Sequence, residues 1–158
     1  MEILDLYDKS GNKLNKTIIR GNKPNENEYI KITVVYLKAQ DKYLVQKCSE
    51  AKGGEYAITG GHVSSGNTSS KQAVIEVQEE LGLDIIEEKL QLLGNIYKNT
   101  AMFDIYLYED DSLINANTTL QLEEVESIEW LTKTEIENLI AKGLVRQSSV
   151  IHYEKYIK

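Results

Sequence analysis

Apolar positions along the chain recur with two different spacings, and the switch between them separates strands from helices. Ile3-Leu4-Asp5-Leu6-Tyr7-Asp8 runs into the turn-forming cluster Lys9-Ser10-Gly11-Asn12-Lys13 and then Thr17-Ile18-Ile19, a pattern that predicts an N-terminal β-hairpin. Tyr29 to Leu37 is dense in β-branched and aromatic residues and follows a polar loop holding the only proline, Pro24. It reads as a central strand joined through Asp41-Lys42 to a second strand over Tyr43 to Lys47. Leu90 to Tyr97, Met102 to Tyr108 and Ile128 to Leu131 read as further strands. Over Thr68 to Leu81 the spacing becomes helical: Ala73, Val74, Val77 and Leu81 fall within about 100° of arc at roughly 3.6 residues per turn, and Gly82 stands where a helix C-terminus favours glycine. A second helix is predicted from about Thr134 to Lys142, ended by Gly143, and a terminal one over Ser148 to Ile157. Ser49 to Thr68, rich in Gly and Ser, reads as a loop that bends repeatedly and can bring bare backbone close to a ligand. With no internal repeat and no linker, the order of elements predicts an α/β (α+β) fold in one layered sandwich.

Length and charge narrow the class. A chain of 158 residues predicts a single domain over 1–158, the hairpin of residues 1–20 being an extension of it. Hydrophobic residues make up 41% and charged residues 27%, enough apolar material for a real core. The formal charge of −7 opposes association with nucleic-acid backbones. One cysteine, Cys48, allows no intramolecular disulfide and reads as a small buried side chain; with no basic-then-apolar start, a cytoplasmic location is expected. Apolar runs of only a few residues fall far short of the roughly 20 that span a bilayer, so no membrane partner is expected.

The helix over 68–81 carries the chemistry. Glu76, Glu79 and Glu80 stand at i, i+3 and i+4, which brings three like charges together on one flank. A solvated helix face accounts for such a cluster without any ligand, because Glu is a good helix former. A hard divalent cation would also relieve it, since Mg²⁺ takes carboxylates together with water and phosphate oxygens, but the spacing alone favours the solvated face. What favours the cation is the glycine-rich loop that feeds straight into the helix.

Gly60-Gly61-His62-Val63-Ser64-Ser65-Gly66-Asn67, followed by Ala73-Val74-Ile75-Glu76-Val77-Gln78-Glu79-Glu80-Leu81-Gly82-Leu83, closely resembles the Nudix box. Gly61, Glu76, Val77, Glu79, Glu80, Gly82 and Leu83 are in register with that motif, and Trp130-Leu131-Thr132 followed by a helix resembles the family's C-terminal half. The resemblance implies a Nudix-type α/β/α sandwich with a mixed sheet, carrying the N-terminal hairpin. It also implies a MutT-like pyrophosphohydrolase that cleaves a small-molecule diphosphate of the nucleoside diphosphate-X type with Mg²⁺, or Mn²⁺ in its place. Glu79 and Glu80 would be the main metal ligands and Glu76 a further ligand or the base that activates water. A backbone carbonyl near Gly60 would complete the metal site, and Gly61 and His62 would contact substrate. Asp104, Glu123 and Glu124 are candidates for one more ligand or base.

Two positions depart from the box: Asn67 stands where the family has Glu, and Ile75 where it has Arg. Losing both removes an orienting contact around the catalytic helix without leaving an unpaired charge. A domain that binds a nucleotide-like ligand without cleaving it is therefore a second reading. The N-terminal half also resembles a Nudix subgroup related to isopentenyl-diphosphate isomerase. Isomerisation fits poorly, because Gly60 occupies the catalytic cysteine's place and only His62 and His152 are available where those enzymes use several histidines. Nucleoside diphosphate sugars, dinucleotides, nucleoside triphosphates and prenyl diphosphates all stay open as substrates. The hairpin edge could pair across a two-fold axis into a homodimer.

Overall fold

A computed structural model describes residues 1–158. The hairpin forms from β1 (Ile3–Tyr7) and β2 (Lys13–Ile19) as a separate two-stranded sheet. The main sheet has seven strands: β3 (Ile30–Ala39), β4 (Lys42–Cys48), β5 (Tyr56–Ala57), β6 (Gly60–His62), β7 (Gln91–Lys98), β8 (Ala101–Glu109) and β9 (Val125–Leu131). It is mixed, with β3 and β8 parallel along their length and the other pairs antiparallel.

Alternation along the strands covers both faces. Val35 and Leu37 of β3, Leu44 of β4 and Tyr106 and Tyr108 of β8 meet Ala73, Val77 and Leu81 of α1 (Ser69–Leu81). Val34, Tyr36, Tyr43, Val45 and Ile105 point the other way, toward Ile136 of α2 (Lys133–Ala141) and Tyr153 of α3 (Gln147–Tyr156). The period of two thus builds two cores from one sheet, the expected α/β/α sandwich. Leu81 is completely buried where α1 lies on the sheet. Leu81→Ala is expected to lower unfolding free energy by about 2–5 kcal/mol, measured by urea denaturation; a change under 1 kcal/mol would mean α1 contributes little to the core.

The boundaries of α1 follow its local chemistry. The Thr68 hydroxyl accepts from the Lys71 amide, and Gly82 ends the helix with φ 70°. The last carbonyls do not stay orphaned: Thr119 donates its amide to Leu81 and Gln121 donates its amide to Glu80. These bonds hold the 116–124 connection against the end of α1. At the other end, the Ser69 hydroxyl donates to Asp104 Oδ2 of β8 at 2.6 Å, and Lys31 pairs with the same oxygen at 3.4 Å. An anionic side chain beside a helix N-terminus is favourably placed.

One expectation needs correcting. The 49–68 stretch, read as a loop, contains β5, a 3₁₀ turn (Glu50–Lys52) and β6. Two adjacent glycines suggest turns because they lack strand propensity, but here tertiary pairing prevails. β6 lies antiparallel on β3, Gly61 opposite Thr33 and Gly60 opposite Val34. A Cβ on Gly60 would collide with the Thr33 carbonyl, so this strand packs where only glycine fits.

The hairpin is fastened to the sandwich rather than free. β1 forms bridges through Leu4 to Ser64 and through Tyr7 to Tyr29, and Leu4, Leu6 and Tyr7 are buried. One edge of β1 is therefore occupied by the chain's own segments, leaving β2 as the outer strand. No helix is long and apolar enough to cross a membrane.

Candidate active site

The cleft arises from a split in the sheet. β3 and β4 pair only beside their connecting turn, Lys38 with Tyr43 and Ala39 with Lys42. Beyond that they diverge, β6 taking up the free part of β3 and β5 that of β4. A cleft of about 270 Å³ opens there. Its walls include Gln46 and Cys48 of β4, Gly60 to His62 of β6 and Glu80 of α1, with Ser148, Ser149 and His152 from the opposite layer.

Glu80 is the most unusual group in it. Its side chain is buried, Oε1 accepts from Gln46 Nε2 at 3.2 Å, and Oε2 has no partner at all. The Gln46 amide is itself oriented, because its Oε1 accepts from the Thr59 hydroxyl at 3.0 Å. Burial, reinforced by the negative charge of Glu76, pushes Glu80 up to about 8. Burial raises Glu76 as well, against an opposing hydrogen bond from Gln72. With burial raising both carboxyls, the protein near neutral pH keeps Glu80 protonated, its Oε2 still without a protein partner.

Glu76 sits behind the Gly61 backbone, where a Cβ would overlap its carboxylate. Gln72 Nε2 donates to Glu76 Oε1 at 3.0 Å, while Gln72 Oε1 accepts from the Ser64 amide at 3.1 Å and from Asn67 Nδ2 at 2.9 Å. Asn67, which departs from the box, thus bonds Gln72, and Gln72 bonds Glu76. Ile75 is half-buried and belongs to neither core cluster.

Glu79 does not join the pair. It is exposed, makes no hydrogen bond or ion pair, and lines a neighbouring groove with Glu123 and Gln121. No group of three or more His, Cys, Asp or Glu side chains is close enough to hold a metal ion. Two carboxylates with main-chain oxygens nevertheless suit Mg²⁺, which is usually held by one or two carboxylates plus water and substrate phosphates. The unpartnered Glu80 Oε2 is a free hard donor of that kind. The β6 ladder leaves another: the amides of Val35 and Val63 reach Thr59 and Lys31 across the strand pair, so the intervening Gly60 carbonyl is turned away from β3.

Other candidates separate clearly. Asp104 is committed to Ser69 and Lys31 and does not line the cleft. Glu124 does line it, paired with Lys52 at 3.3 Å, and its charge adds to the upward push on Glu80. His62 is half-buried on the cleft wall, with burial first and then Arg20 lowering its pKa, so the ring is neutral at pH 7. His152 is more deeply buried, lowered to about 3, and bonds Tyr36 at 2.5 Å. Cys48 is buried, as expected, and its thiol is pushed up by burial.

Residue-type reasoning passed over the cleft's cations. Arg20 enters from the end of the hairpin, Lys52 from the 3₁₀ turn and Arg146 from the start of α3. They lie far apart in the chain, and no local spacing announces their meeting. Gln72 did leave a signal: it stands four residues before Glu76 and eight before Glu80, on the same helical flank.

Comparison with known proteins agrees with this architecture. The NUDIX domain pattern matches residues 29–153. An uncharacterized Nudix hydrolase of Listeria innocua, lin0387, is 31% identical over 148 residues, covering 90% of this chain and 87% of that protein. Among solved structures, DR0079 from Deinococcus radiodurans superposes with a TM-score of 0.81 at 19% identity, covering 99% of this chain and all of the other (100%). A bifunctional NMN adenylyltransferase/ADP ribose pyrophosphatase from Francisella tularensis, complexed with AMP and a Mn ion, gives a TM-score of 0.60 at 14% identity over 84% of this chain and 41% of that one.

Proposed function

Because this chain belongs to the Nudix hydrolase family, we propose that its cleft hydrolyses the diphosphate linkage of a small nucleoside diphosphate-X type molecule with Mg²⁺ or Mn²⁺. The observation that carries the reading is the buried, unpartnered Glu80 Oε2, with the half-buried Glu76 carboxyl one turn away, in a cleft edged with cations. A protein gains nothing in stability from two adjoining carboxyls held in poor contact with water; a bound cation relieves that arrangement. When bound there, the metal supplies neutralisation of phosphate charge and a water of lowered pKa.

The chain's own residues divide the rest of the work. Glu80 and the Gly60 carbonyl offer oxygen ligands, and Glu79, free of other partners, can turn from its exposed flank to add a third. Glu76, held by Gln72, ligates or accepts the proton of the attacking water. Glu124 is the acidic residue best placed to assist from the 116–124 connection. Arg20, Lys52 and Arg146 would bind phosphate oxygens away from the metal, with His62 and the Gly61 backbone contacting the substrate between them. Ile32, Val34, Ile58 and Phe103 give the cleft an apolar lining for the non-phosphate part of the molecule.

The test is phosphate or nucleotide release from a panel of diphosphate-linked nucleosides and nucleoside triphosphates, with Mg²⁺, Mn²⁺ or EDTA. Turnover is expected with either metal and none with EDTA. Silence across the panel while Mn²⁺ still binds would replace hydrolysis with a ligand-binding role.

A further inference from the structure

We propose that Gln72 is a positioning residue: its side-chain amide couples the glycine-rich loop to Glu76 and sets the direction of that carboxylate behind the Gly61 backbone, one helical turn from Glu80. The inference rests on the hydrolase reading of the same site, but its evidence lies in the orientation of one amide. Gln72 is buried, with 4% of its surface exposed. Its Oε1 faces the Ser64 amide at 3.1 Å. A backbone N–H can only donate, so this bond determines which end of the Gln72 amide is oxygen, a distinction that geometry alone often leaves ambiguous. Nε2 must then face Glu76 Oε1 at 3.0 Å as a donor. Asn67 Nδ2 adds a second bond to the same Gln72 oxygen at 2.9 Å.

The consequence is directional. Ser64 and Asn67 belong to the loop that runs from β6 into α1, whereas Glu76 is one helical turn beyond Gln72. A shift of the loop therefore passes through one rigid amide to the carboxylate. An arginine in this role would add a positive charge beside the metal ligands; an amide orients Glu76 while leaving the site's negative charge for the cation. Gln46 bonds Glu80 in the same manner from β4, so Glu76 and Glu80 each accept from one neutral donor.

The experiment compares Gln72→Leu, which keeps the bulk and removes the bonds, with Asn67→Ala, which removes one loop tether and leaves the amide on Glu76. Substrate turnover, Mn²⁺ affinity by electron paramagnetic resonance without substrate, and melting temperature are measured for each. Gln72→Leu is expected to lower kcat roughly 10- to 100-fold with KM within about twofold, and to weaken Mn²⁺ binding on the order of tenfold. Asn67→Ala is expected to stay within about threefold of wild type in kcat and Mn²⁺ affinity. A folded Gln72→Leu with wild-type kcat and wild-type Mn²⁺ affinity would reduce Gln72 to a loop anchor and overturn the proposal. Mn²⁺ affinity remains informative if no substrate turns over, which separates this inference from the hydrolase reading. Should Gln72→Leu fail to fold, the native protein decides: the assigned Gln72 side-chain NH₂ resonances should move when Mg²⁺ is added, and unchanged resonances would overturn the coupling.

Discussion

Glu80→Gln is expected to reduce metal-dependent turnover about a thousandfold, the scale of several kcal/mol of lost charge stabilisation, and at the same time to make the metal-free protein more stable in alkaline solution. The second effect follows from proton linkage. The folded protein holds the Glu80 proton up to about 8, whereas the ordinary value for the residue is 4.5. A carboxyl raised on folding favours the native state while it stays protonated. Its contribution is complete at acid pH, declines once the unfolded chain releases its proton, and is lost as pH passes through the folded value. Glutamine is neutral throughout and nearly the same shape. Relative to wild type, Glu80→Gln should therefore gain on the order of 3 kcal/mol between pH ~5 and pH ~8, a rise in melting temperature of about 5–10 °C at the upper end and close to none at the lower. Thermal melts of both proteins in EDTA across that range are the measurement. Equal melting temperatures at pH ~8 would show that Glu80 ionises freely in the fold. Added Mg²⁺ should narrow the gap from the wild-type side alone, because only the carboxylate gains a ligand.

The adjacent glycines give the second large effect, and they should fail in different ways. A Cβ on Gly61 would overlap the Glu76 carboxylate, the end of a side chain that can move, though only by giving up its bond to Gln72. Gly61→Ala is therefore expected to fold with a loss of about 1–3 kcal/mol, while kcat drops about 100-fold from a displacement near 1 Å at the reacting centre. A Cβ on Gly60 meets the Thr33 carbonyl of β3, main chain in the middle of the sheet. Gly60→Ala should compromise folding itself. Circular dichroism and turnover on both variants distinguish the two, and a Gly61→Ala enzyme with native kcat would mean that the Glu76 carboxylate need not stay where it lies.

Much of this was legible from spacing. Thr68, the stripe of Ala73, Val77 and Leu81, and Gly82 delimit α1 because helix periodicity and both ends speak in local terms. The apolar run of Val34, Val35, Tyr36 and Leu37 likewise marked a central strand, and Glu76 and Glu80 were visible as a pair one turn apart. β6 was hidden because Gly60 and Gly61 carry no strand preference of their own; their pairing with β3 comes from sterics some 27 positions away, Val34 lying opposite Gly60 (60 − 34 gives 26) and Thr33 opposite Gly61 (61 − 33 gives 28). The sheet split and the convergence of Arg20, Lys52 and Arg146 depend on tertiary geometry alone. Glu79 carries the opposite lesson: membership of a motif gives an identity and a helical angle, yet burial of one neighbour and exposure of the next are decided by what packs over them.

The hairpin lies outside residues 29–153, where the family pattern matches, and yet it braces the loop that matters most. Asp5 accepts from the Ser65 hydroxyl at 2.7 Å and the Gly66 amide at 3.0 Å, Glu2 accepts from the Ser64 hydroxyl at 2.6 Å, and the Ser65 amide donates to the Ile3 carbonyl at 2.8 Å. Ser64 is also the residue whose amide steers Gln72. A fragment trimmed to the shared family boundary would thus keep Glu76, Glu79 and Glu80 and lose the outer buttress of the loop bonded through Gln72 to one of them: the accessory segment is part of the instrument's alignment.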